Sequence, residues 1–163
     1  MKKYALLGWI LGALVSGLRA QDLNTFHAYH PEEDAAASLQ RVVKSASAAH
    51  KNVLVQIGGN WCVWCARFSE LSTSDRQIDS ALSADFIVLH VNYSKENMNL
   101  PLMAMLGYPQ RFGFPVFVIL NDKGFPVHIQ NTEYLEQGKG YNKEKILSFL
   151  NDWSPKALDP ASY

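Results

Sequence analysis

Apolar positions Leu39, Val42, Val43, Ala46 and Ala49 recur at helical spacing behind Pro31 and the acids Glu32, Glu33 and Asp34. Proline suits the first helical position and carboxylates favour the positive end of the helix dipole, so the pattern predicts an amphipathic helix over 32–50. The pattern then changes. "NVLVQIG", residues 52–58, is a short apolar run of strand length that enters a break at Gly58 and Gly59. "CARFSEL" beyond it has helical composition, and Ser74 with Gln77 fits a capping box opening a helix through Ile78 and Leu82. "FIVLHVN", residues 86–92, reads as a buried strand. Residues 97–106 read as a helix in which Pro101 is tolerable only near the first turn.

"PVFVILNDKGFPVHIQ", residues 115–130, predicts two strands joined by a tight turn at Asp122 to Gly124. Asn142 is expected to cap a last helix carrying Ile146, Leu147, Leu150 and Trp153. "TFHAYH", residues 25–30, is a candidate for a short extra edge strand. Helices alternating with strands in the first half imply parallel pairing through helical crossovers, and the closing hairpin adds antiparallel strands. The expected fold class is therefore α/β, a central mixed sheet of four to five strands flanked by helices.

The first twenty residues depart from this pattern. Lys2 and Lys3 precede an almost wholly apolar run from Tyr4 to Val15, and Ser16 to Ala20 ends in a small residue. That is the layout of a secretory signal peptide, and the run is too short for the roughly 20 residues that cross a bilayer. The expectation is removal of 1–20, with an uncleaved anchor as the alternative, leaving a single domain over 21–163 in an exported protein, periplasmic or extracellular, with no membrane span in the mature chain. The whole chain balances 15 Lys and Arg against 15 Asp and Glu; loss of Lys2, Lys3 and Arg19 leaves 12 against 15. A slightly acidic chain with no Lys/Arg cluster gives no sign of nucleic-acid binding.

The chemistry lies in "GGNWCVWCARF", which holds the only two cysteines, Cys62 and Cys65. Chemistry in an open α/β sheet tends to sit beyond the carboxyl ends of the strands, and Cys62 falls there, where a helix is about to begin. Unpaired N–H groups at a helix start favour a thiolate, the attacking species in thiol–disulfide exchange. Cys65, one turn on, would point less outward and resolve the mixed disulfide. A zinc site needs two further ligands, but there is no other cysteine and the histidines at 27, 30, 50, 90 and 128 are scattered. No GxGxxG suggests a nucleotide cofactor, so none is expected beyond a redox-active Cys62–Cys65 disulfide.

"VLVQIGGNWCVWCARF" resembles the active-site segment of the thioredoxin superfamily, and "FGFPVFVILNDKG" resembles that family's segment with a cis-proline before the antiparallel hairpin. The resemblance spans roughly 35–153. It implies a thioredoxin-like fold, with Cys62 attacking, Cys65 resolving and a cis bond before Pro115. Such a bond would turn the Phe114 backbone towards the sulfurs to pair with a substrate chain. Trp61 matches the aromatic before the first cysteine and, with Trp64, Phe114 and Pro115, is a candidate substrate surface. Val63 and Trp64 carry no charge, unlike the histidine of strongly oxidising relatives, which tilts the expectation towards a reductase or isomerase. The acid and lysine often buried near the cysteines in the family's reductases correspond here to Gln56 and His90, a possible proton relay for Cys65.

Met98, Met103 and Met105 read as core packing of their helix, with a Met-rich grip on peptides as the alternative. The resemblance implies a protein disulfide oxidoreductase acting outside the cytoplasm on protein or peptide thiols and disulfides, supplied by an upstream thiol-redox partner. The alternative from another class is a non-catalytic binding module, or a copper-handling protein with Cys62, Cys65 and His90 as ligands.

Overall fold

Both strands of the first half form where the apolar runs place them. The computed structural model describes residues 23–163, so the leader expected at 1–20 lies outside the described residues. Helices α1 (Ala35–Ala49), α2 (Val63–Ser74), α3 (Arg76–Asp85), α4 (Leu100–Met105), α5 (Lys143–Asp152) and α6 (Pro155–Leu158) surround the sheet. Its strands are β1 (Asn52–Gly58), β2 (Phe86–Asn92), β3 (Val116–Leu120) and β4 (Pro126–Asn131), in the order β2-β1-β3-β4. β1 and β2 are parallel; β1–β3 and β3–β4 are antiparallel. A second, two-stranded sheet pairs β5 (Glu136–Gln137) with β6 (Gly140–Tyr141). No helix of the described residues is long and apolar enough to cross a membrane.

β1 and β3 are buried along their whole length because both faces of the sheet are covered. Val53, Val55, Ile57, Val116, Val118 and Leu120 face α1 and α4, meeting Leu39, Ala46, Leu102 and Met103. The alternate residues Leu54, Phe117 and Ile119 face α2, α3 and α5, meeting Phe68, Ile78, Leu82, Ile146, Phe149 and Leu150. Each such side chain contributes about 1.5–3 kcal/mol when fully buried. Of the three methionines read as core, Met103 is buried while Met98 and Met105 are exposed.

Several boundaries differ from the pattern-based expectation. α1 begins three residues later than expected, because the Asp34 carboxylate accepts from the Ala36 and Ala37 N–H groups and makes Asp34 the cap; Pro31 sits in the preceding turn. The cap of α3 is Asp75, not Ser74: its carboxylate accepts from Gln77 and Ile78. α4 is shorter than the expected 97–106, although Pro101 does lie in its first turn. Residues 26–30 form no strand. The hairpin turn closes through Gly124 at φ +82°, a conformation that favours glycine, and a Cβ there would press on Val43.

Candidate active site

β1 ends at Gly58, and a tight loop through Gly59, Asn60 and Trp61 delivers the chain to α2. Cys62 is the N-cap of that helix, and its sulfur accepts from the Cys65 N–H at 3.1 Å. The two cysteines form a disulfide across a Cα–Cα separation of 5.2 Å. Cys62 keeps 4 % of its surface accessible and Cys65 none, so an incoming sulfur meets Cys62 first.

Phe114 packs against the cysteine cluster, and its bond to Pro115 is cis. Its ring stacks on Tyr93 at 4.9 Å and meets the edge of Trp61 at 5.5 Å. Trp61 is 54 % exposed and is held by donation from its Nε1 to the Tyr93 carbonyl. Trp64 is half-buried, set edge-to-face against Tyr141 at 5.5 Å, while the Tyr141 hydroxyl donates to the Trp64 carbonyl. The Arg67 guanidinium lies over the Trp64 ring, 4.5 Å from its centre. The uncharged residues between the cysteines are thus accompanied by a cation from the next turn of α2. An i, i+3 count from Trp64 would have found it.

Gln56 and His90 are neighbours in the register of β1 and β2, as their strand positions imply. Their side chains do not bond to each other. The Gln56 Nε2 donates instead to the hydroxyl of Tyr29 at 2.9 Å, and the Tyr29 ring stands edge-on to His90 at 5.3 Å. Burial, aided by the nearby charge of His30, holds His90 below its ordinary pKa of 6.5 and favours the neutral ring.

Tyr29 was missed in the sequence, where "TFHAYH" signalled only a candidate edge strand. The segment is held by one side chain: Asn60 accepts from the Tyr29 N–H at 3.0 Å and donates to its carbonyl at 2.8 Å. That amide reproduces what a neighbouring strand would offer. Tyr29 reaches the cysteine cluster, with Phe26 and Ala28 packed beside it, and burial pushes its hydroxyl pKa far above the usual value.

Among the described residues no group of three or more His, Cys, Asp or Glu side chains is arranged to hold a metal ion.

A profile of thioredoxin-like proteins matches residues 34–122, more than half of the chain. Among solved structures, a disulphide isomerase from Xylella fastidiosa Temecula1 superposes with a TM-score of 0.66 at 20% identity, covering 78% of this chain and 97% of its own. That likeness shows the fold. A DsbH oxidoreductase aligns at 14% identity and TM-score 0.46, over 69% of this chain and 81% of its own. A thioredoxin-fold protein from Helicobacter pylori aligns at 16% and 0.41, over 73% and 93%. No curated protein matches the chain significantly.

Proposed function

Because the chain belongs to the thioredoxin-like family, we propose that it is a thiol–disulfide oxidoreductase working outside the cytoplasm, as a reductase or isomerase of protein disulfides. The observation that carries this reading is Cys62 at the N-cap of α2, its sulfur already hydrogen-bonded by the Cys65 N–H. Once the pair is reduced, that donor and the helix start stabilise charge on Cys62. The Cys62 thiolate attacks a substrate disulfide and one substrate sulfur leaves as a thiolate. Cys65 then loses its proton and attacks Cys62 Sγ. The bond from Cys62 to the substrate breaks, releasing the second substrate thiolate, and the Cys62–Cys65 disulfide is restored.

Trp61, Phe114 and Pro115 form the wall against which a substrate chain lies, with Trp64 at its rim. Gln56 and His90 flank the route of the Cys65 proton, His90 in the neutral form that accepts one. An upstream thiol-redox partner reduces the disulfide after each cycle. The apolar leader at 1–20 supports export, to the periplasm or beyond the cell.

Reduction of insulin by dithiothreitol tests the activity. Wild type should accelerate it and Cys62→Ser should not; equal, uncatalysed rates for both would refute the enzyme and favour a binding module. Equilibration of the cysteine pair with glutathione gives the potential, and a value near those of strong oxidants would reverse the proposed direction.

A further inference from the structure

The stretch from Gln56 to Asn60 is committed to one residue outside it. Gln56 holds the Tyr29 hydroxyl, and Asn60 clamps the Tyr29 backbone from both sides. Gly58, between them, leaves the space the hydroxyl occupies: a Cβ there would overlap Cys65 Sγ and stand 2.9 Å from the Tyr29 oxygen. The hydroxyl and the inner sulfur therefore border the same gap at the end of β1. Cys65 has no accessible surface, so bulk water does not stabilise charge on it.

We propose that Tyr29, carried in from the N-terminal segment, donates its hydroxyl hydrogen to Cys65 Sγ when that sulfur becomes a thiolate, and so sets the rate at which the mixed disulfide is resolved. The oxygen already accepts from Gln56, and among the described residues no nitrogen or oxygen accepts from Tyr29 in return. Its hydrogen is free for the one nucleophile across the gap. In the disulfide both sulfurs are neutral and weak acceptors. Reduction and loss of the Cys65 proton place a full negative charge on that sulfur, turning it into a strong acceptor. Tyr29 keeps its own proton throughout, as burial demands, so the proton shed by Cys65 leaves for another base; the His90 imidazole stands edge-on to the Tyr29 ring. Gln56 thus serves the site by orienting a phenol rather than by exchanging a proton.

This assignment rests on the proposed thiol chemistry, but its test needs no turnover. In the reduced Cys62→Ser protein, Cys65 is the sole thiol, and the ultraviolet absorbance of its thiolate gives its pKa directly. Tyr29→Phe keeps the ring and its packing and should raise the Cys65 pKa by about one unit, a tenfold loss of thiolate below that pKa, as fits a buried hydrogen bond to a charged group. Gln56→Leu, which leaves the tyrosine unoriented, should raise it by less. In the wild-type cysteine background, Tyr29→Phe should slow resolution of a Cys62–glutathione mixed disulfide about threefold, because the tenfold loss of thiolate is partly offset by the greater nucleophilicity of the thiolate that remains. Alkylation of Cys62 in Cys65→Ser should be unaffected by the same change. An unmoved Cys65 titration in Tyr29→Phe overturns the proposal; should that variant fail to fold, an unmoved titration in Gln56→Leu does so. A protein that shows the shift yet reduces no disulfide would refute the function and leave the Tyr29 assignment standing.

Discussion

At the scale of single residues, the site is governed by which groups burial keeps uncharged. His90 is held below its ordinary pKa of 6.5, so the unfolded chain binds a proton there before the folded one does. Folding stability should therefore fall as the pH drops from about 6.5, and level off below the folded pKa. His90→Gln should remove that part of the slope in urea titrations at successive pH values; an unchanged slope would show that His90 does not supply it. Arg67 acts in the other direction. A cation over Trp64 favours the thiolate form, so Arg67→Met should make the disulfide harder to reduce. The shift is small, about 10 mV, because a half-exposed charge contributes well under 1 kcal/mol and 30 mV corresponds to ~1.4 kcal/mol for two electrons. Redox titration against glutathione measures it, and an equal potential in wild type and variant would dismiss the charge as irrelevant.

At the scale of elements, one residue joins three helices. Asp75 ends α2, caps α3 and forms an ion pair with Lys143 at the start of α5, N–O distance 2.7 Å. The Lys143 contact holds its carboxyl below the ordinary 3.8, with the N–H groups of Ile78 and Gln77 assisting. Its contribution is thus present above pH ~4 and is lost as the pH falls through the folded pKa. Asp75→Ala should lower Tm at neutral pH and bring it closer to wild type in strong acid; a constant Tm difference at every pH would contradict the linkage. Phe117 on β3 lies 4.6 Å from Phe68 of α2 and 6.0 Å from Phe149 of α5, ring centre to centre. Phe117→Ala should cost about 3–5 kcal/mol in denaturant unfolding, since no single neighbour can fill the space.

These elements also show what pattern reading reaches. β1 and β2 occupy the expected 52–58 and 86–92: β1, covered on both faces, leaves an unbroken apolar run, while β2 is an edge strand whose apolar Val88 stays exposed. Helix starts slipped where two capping residues stood close together. Ser74 and Asp75 are both good caps, and the ion pair to Lys143, distant in sequence, accompanies the choice of Asp75. β5 and β6, two residues each, are too short to carry any period. The cysteine pair was readable from its spacing after β1, and the cis bond before Pro115 from the family resemblance of its segment. Tyr29 was not, because its meaning depends on the missing Cβ of Gly58 and the amide of Asn60, some thirty residues away.

At the scale of the molecule, the leading segment is part of the site. Besides the Asn60 clamp on Tyr29, Asn97 donates to the Pro31 carbonyl at 3.0 Å, fastening the segment to the loop after β2. A chain beginning at Pro31 should fold around the same sheet but with a lower Tm, and its Cys65 should titrate as in Tyr29→Phe. Thermal melts and thiolate absorbance check both, and a truncated chain that matches wild type in each would show the segment to be dispensable.

The aromatic frame of the disulfide has an optical consequence. Of the three tryptophans described, Trp64 packs against the cysteine cluster and Trp61 adjoins Cys62, while Trp153 lies stacked on His128 at 4.1 Å. A nearby disulfide quenches indole emission by accepting its excited electron, and a dithiol does so far less. Reducing the protein should therefore brighten it, so that an unlabelled sample in a fluorimeter reports its own oxidation state.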